Sequence, residues 1–81
     1  MRKKIIWTKP LYNNFLEDAI LTDLEKEVLY ARVWEKDKWT IISMALEFHV
    51  GRSTINNAIS SIRRKYDNLS EAYPDKYPKR G

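Results

Sequence analysis

The chain has 81 residues, a net charge of +4, no cysteine and a single histidine, His49. That length holds one small core, and the missing thiols exclude disulfides and thiolate metal sites. One histidine is too few for a histidine-based metal centre, no EF-hand spacing is present, and no apolar run approaches the roughly 20 residues that span a bilayer.

The opening MRKKIIWTKPLYNN has a basic head, but its apolar stretch is only Ile5-Ile6-Trp7. That is too short for the apolar core of a signal peptide, so a cytoplasmic protein is expected. Thr8 is a candidate helix cap, and Pro10 suits a first turn because its missing N–H is not needed there. Leu11, Tyr12, Phe15, Leu16, Ala19 and Ile20 then recur at helical spacing. Thr22-Asp-Leu-Glu25 has the form of a capping box and opens a second helix, with Leu24, Val28, Leu29, Ala31 and Val33 as its inward positions. That helix runs out in the polar stretch WEKDKW.

The third predicted helix is TIISMALEF, with Thr40 as its cap, and it ends at the tight turn His49-Val50-Gly51. A longer helix follows from Arg52 to about Asn68, with Ile55, Ala58, Ile59, Ile62, Tyr66 and Leu69 facing inward. No alternating apolar run suggests a strand. The expected fold is all-α, a small bundle of about four helices. Its organisation is a basic N-terminal arm over residues 1–9, a helical domain over 10–69, and a flexible basic tail over 70–81. Trp7 and the tail tyrosines have no place in this pattern.

Charge is unevenly spread. Residues 1–16 carry four basic and no acidic side chains, residues 17–47 carry four and eight, and residues 52–81 carry seven and three. Basic ends around an acidic middle suit a polyanion approached by the C-terminal half, or simply a solvated basic surface.

Two helices joined by a three-residue turn, the second longer and more basic, have the outline of a helix-turn-helix over about residues 40–68. The first helix must pass close to the second, and Ala45 is small enough to allow it. Met44, Phe48, Val50, Ile55 and Ala58 fill the angle between them, and Ile59 and Ile62 extend that core. The turn needs a residue that tolerates left-handed backbone. His49 stands where glycine is usual, and histidine is among the side chains enriched in that geometry. Gly51 is a turn glycine on any reading.

SMALEFHVGRSTINNAISSI resembles the helix-turn-helix of phage repressor and Cro-type regulators. The preceding LTDLEKEVLYARVWEKDKWTIISMAL resembles sigma-factor region 4 and small sigma-like phage regulators, with Leu21-Thr22, Glu25 and Val28-Leu29 on the capped helix and Trp39-Thr40 opening the motif. The likeness covers Leu21 to about Leu69. It implies transcription regulation in a bacterial or phage-infected cell, with double-stranded DNA as partner and RNA polymerase as a second one.

With the isoleucines inward, Arg52, Ser53, Asn56, Asn57, Ser60 and Arg63 face outward. Arginine can pair with guanine O6 and N7 and asparagine with adenine N6 and N7. Base reading is therefore assigned to Arg52, Ser53, Asn56, Asn57 and Ser60. Two adjacent asparagines are poor helix formers and cost stability if they only meet water. Phosphate contacts are assigned to Trp39, Thr40, Arg63, Arg64 and Lys65, although Ile62-Arg-Arg-Lys-Tyr66 also suits an ordinary basic helix end. No cofactor, metal or membrane is expected. Enzyme function has no foothold, because no histidine or lysine is arranged to activate Ser53 or Ser60. The alternative is a protein-interaction module that contacts RNA polymerase or another regulator through the acidic helix over residues 22–36, with DNA contact secondary. A homodimer reading a palindrome is compatible with the first reading.

Overall fold

The first three helices each begin where a threonine side chain satisfies an orphan N–H group of the first turn. A computed structural model describes residues 5–79, so the basic positions Arg2, Lys3, Lys4 and Arg80, assigned above to arm and tail, lie outside the described residues. Helix α1 (Lys9–Asp18) starts at Thr8, whose Oγ1 accepts the Leu11 N–H at 3.3 Å, with Pro10 in the first turn. Helix α2 (Asp23–Trp34) has the expected capping box. Thr22 Oγ1 accepts the Glu25 N–H at 3.1 Å, and Glu25 Oε1 accepts the Thr22 N–H at 3.0 Å. Helix α3 (Ile41–Glu47) repeats the device with Thr40 and Ser43, and α4 (Arg52–Ala72) is the long basic helix. The fold is all-α, with no strand among the described residues.

The chain divides into two compact units, each with its own apolar centre. One comprises Leu21–Ile62, that is α2, α3 and the first half of α4. Its core is Val28, Leu29 and Ala31 from α2, Met44 and Ala45 from α3, and Ile55, Ala58 and Ile62 from α4. Fully burying one of the larger of these side chains is worth about 1.5–3 kcal/mol. The other predicted core residues, Phe48, Val50 and Ile59, are half-buried, as are Leu24 and Val33.

The second unit comprises the residues up to Ile20 and those from Arg63 onward. Leu11 and Phe15 from α1 and Tyr66 from α4 are buried in it. Trp7 meets Phe15 and Tyr66 edge-on, with ring centroids 5.3 and 5.7 Å apart, so the unplaced tryptophan is part of an aromatic cluster.

Two expectations are corrected here. Ile20 is 90% exposed rather than inward. Helix α1 stops at Asp18 and Ala19 turns extended, so the helical period no longer applies at residue 20. The C-terminal segment is not a frayed tail from residue 70 onward. Helix α4 continues to Ala72, Ser70 and Tyr77 are buried, and Ser70 Oγ donates to the Tyr77 carbonyl at 2.8 Å. The Tyr66 hydroxyl donates to the Pro78 carbonyl, so the chain after α4 packs against its own helix.

Candidate nucleic-acid interface

The α3–α4 connection is set by one residue. His49 has φ 57°, and no other described non-glycine residue has a positive φ. It follows the last turn of α3 with the hydrogen bonds of a Schellman ending. The Val50 N–H reaches the Ala45 carbonyl at 3.0 Å, and the His49 N–H reaches the Leu46 carbonyl at 3.4 Å. Gly51 then begins α4, its carbonyl accepting the N–H groups of Thr54 and Ile55 at 3.1 and 3.3 Å. Its backbone lies outside the left-handed region, and a Cβ there would meet only Ser53 Oγ at 3.9 Å. The left-handed turn residue is therefore His49, and local geometry does not demand glycine at 51.

On α4 the sequence pattern translates into two faces. Ile55, Ala58 and Ile62 are buried, while Arg52, Ser53, Asn56, Asn57 and Ser60 are all exposed. At 3.6 residues per turn these five, with exposed Arg64, lie within an arc of roughly 140° opposite the buried positions. No acidic residue occurs between Arg52 and Tyr66; the first is Asp67. The arc thus presents short hydrogen-bonding side chains between two arginines, along a rise of about 18 Å.

No family model, curated protein or solved structure matches this chain. The chemistry of the α4 face therefore rests on its own residues.

The predicted phosphate contacts divide. Arg64 is exposed and lies on the arc, and Arg63 is half-buried at its edge. Lys65 is turned away, because its Nζ donates to the Ile20 carbonyl at 2.7 Å, just beyond α1. Nothing in the sequence signals that tether, since the two residues are 45 positions apart. Trp39 and Thr40 are also committed locally. The Trp39 indole N–H donates to Glu35 Oε1 at 3.2 Å, and its ring stacks on Phe48 with centroids 5.9 Å apart. The Thr40 N–H and hydroxyl both engage Ser43 Oγ, at 2.7 and 3.1 Å. These two residues build the entry to α3. The Glu35 carboxylate beside Trp39 is, moreover, a poor neighbour for a phosphate.

Proposed function

We propose that this chain binds double-stranded DNA sequence-specifically, as a small transcriptional regulator that uses α3, the turn and α4 as a helix-turn-helix. The observation that carries the reading is the exposed arc of Arg52, Ser53, Asn56, Asn57 and Ser60 on a helix with no acidic residue before Asp67. A helix about 10–12 Å across with side chains fits a major groove about 12 Å wide. Short side chains at its N-terminal end let the backbone approach, and arginine and asparagine match the edges of guanine and adenine. Arg64, with Arg63 at the margin, supplies the positive charge for flanking phosphates. A cytoplasmic setting in a bacterial or phage-infected cell belongs to the same reading. No helix among the described residues is long and apolar enough to cross a membrane.

A salt-series titration tests the proposal, using fragments from around the gene's own promoter against scrambled duplex. Asn56→Ala/Asn57→Ala should cost about 1–3 kcal/mol for each lost bidentate pair while leaving the salt slope unchanged. Equal weak binding to every fragment, unaltered by the double substitution, would overturn it.

A second reading draws on Ile42 and Leu46, which are 56% and 72% exposed one turn apart on α3. That apolar pair, with the acidic α2, supports a module that contacts RNA polymerase or another regulator, with DNA contact secondary. It predicts that loss of Asn56 and Asn57 is tolerated, whereas Leu46→Lys is not.

A further inference from the structure

The helical repeat places the first three turns of α4 around the line that points directly away from buried Ile55, Ala58 and Ile62. Exposed Ser53 and Ser60 lie within about 15° of that outward line. Asn56 and Asn57, both exposed, fall about 50° to either side of it. Arg52, also exposed, lies farther round on the side of Asn56. The midline of the face therefore carries short hydroxyls, and the two asparagines straddle it.

We propose, resting on the DNA reading above, that α4 selects two adjoining A·T pairs whose adenines lie on opposite strands, one for each asparagine. A helix laid in the major groove turns its outward midline to the groove floor and its flanks to the two strands. Serines on the midline let the backbone sink far enough for asparagine, itself short, to reach base edges on both flanks. Each asparagine makes its bidentate pair with N6 and N7 of one adenine, and an A·T pair holds only one adenine. Along the axis Asn56 and Asn57 are offset by about 1.5 Å, less than the rise of about 3.4 Å between base pairs. Their targets are therefore neighbouring pairs with the purines on opposite strands. That is a 5′-AT-3′ or a 5′-TA-3′ step.

Arg52 extends the element on one strand. It lies on the Asn56 flank, about 6 Å nearer the start of α4, which is close to two base-pair rises. Guanine accepts a bidentate arginine at O6 and N7, so a guanine belongs on the strand of the Asn56 adenine, two pairs away. Asparagines one turn apart, as Arg52 and Asn56 are, would both face the same strand and select adenines along it. Adjacent asparagines cannot do that, because successive residues of a helix point about 100° apart.

The test is selection of bound duplexes from a random pool by the whole chain, run with the wild type, Asn56→Ala, Asn57→Ala and Arg52→Ala. All three positions are exposed and alanine is the better helix former, so the variants should fold. The wild type should enrich an AT or TA step with a guanine two pairs from one adenine. Asn56→Ala should relax one pair of the step and Asn57→Ala the other, each weakening binding to the enriched duplex about five- to 150-fold. Arg52→Ala should relax the guanine. Replacing one adenine by 7-deazaadenine removes its N7 acceptor and should cost the wild type about two- to tenfold. The asparagine variant that has lost that contact should not register the replacement, and the other should. Adenines enriched on one strand only, or two asparagine variants that relax the same pair, overturn the inference and leave the DNA reading standing. A wild type that enriches no sequence overturns both.

Discussion

Tyr77 and Asp18 are 59 positions apart in the chain and joined side chain to side chain, the tyrosine hydroxyl donating to the aspartate Oδ2. Lys76 Nζ meets the same carboxylate oxygen at 2.7 Å, so one acid at the end of α1 holds two consecutive residues beyond α4. The Tyr77 ring is fully buried and packs edge-on to Tyr66 at 5.9 Å. The clamp therefore combines an apolar payload with a polar latch.

The two contributions can be separated by substitution. Tyr77→Ala removes the buried ring and should cost about 3–5 kcal/mol, as large-to-small changes of aromatic side chains do. Tyr77→Phe keeps the ring and loses only the hydroxyl contact, for about 0.5–1.5 kcal/mol. Urea unfolding followed by far-ultraviolet circular dichroism gives both values. An alanine variant as stable as the wild type would mean that this segment does not pack.

The same cluster fixes a pH response with opposite limbs. Lys76 and then Tyr77, as hydrogen-bonding partners, hold the Asp18 carboxyl below its ordinary value of 3.8. Its contribution is present above that value and lost as the pH falls through the depressed pKa. The Lys76 ammonium is raised above 10.5, chiefly by its bond to Asp18. Burial raises the hydroxyls of Tyr66 and Tyr77 above 10.0, with Asp67 adding to the first and the Asp18 bond to the second. Groups with raised pKa values stabilise below their unfolded values, and that stability is lost as the pH rises through the folded ones. The clamp should therefore hold from about pH 4 to pH 10. Spectrophotometric titration should show Tyr66 and Tyr77 ionising late, together with loss of helicity. Tyr66 and Tyr77 ionising at the ordinary value of 10.0 would contradict this.

His49 gives a third prediction, because its backbone is left-handed at φ 57°. A side chain with a Cβ bears a cost of roughly 1–2 kcal/mol there. His49→Gly relieves that cost and gives back about 0.5–1 kcal/mol through greater freedom in the unfolded chain, so it should be neutral or slightly stabilising. His49→Val adds a β-branch to the same geometry and should lower the melting temperature by several degrees. Equal melting temperatures for the valine and glycine variants would remove His49 from its place in the turn.

Sequence made local structure legible where one residue acts on its near neighbours. Thr8, Thr22 and Thr40 cap the helices that their positions announced, because a cap reaches only three residues along the chain. His49 adopts the left-handed backbone for a similar reason, since the α3 ending closes within five residues. The division of α4 into buried and exposed faces was also readable, because 3.6-residue periodicity is a property of a single helix. Contacts across long separations were not. The Lys65–Ile20 and Tyr77–Asp18 bonds join residues 45 and 59 positions apart. The two prolines after Glu71 suggested a loose end, whereas Tyr66, Ser70 and Tyr77 form a network beneath it. At the candidate interface the exposed side chains were legible, but not the partners that occupy Trp39 and Lys65.

Gly51 separates the stability of the α4 face from its use. Its backbone is unstrained and a side chain there meets only Ser53 Oγ, so a larger residue fits. At the position that begins α4, aspartate and serine are better caps than glycine, by a few tenths of a kcal/mol. Gly51→Asp should therefore fold with unchanged or slightly raised stability. On the proposed DNA reading the N-terminal end of α4 lies at the base edges, so this carboxylate would lie against the negatively charged duplex and repel it. Specific binding should fall at least tenfold, while Gly51→Ser, with no charge, loses less. Measuring the melting temperature and the DNA titration on the same preparations gives both readouts. If Gly51→Asp binds the promoter fragment as tightly as the wild type, the N-terminal end of α4 does not face DNA. The second reading, through α2 and α3, would then take precedence.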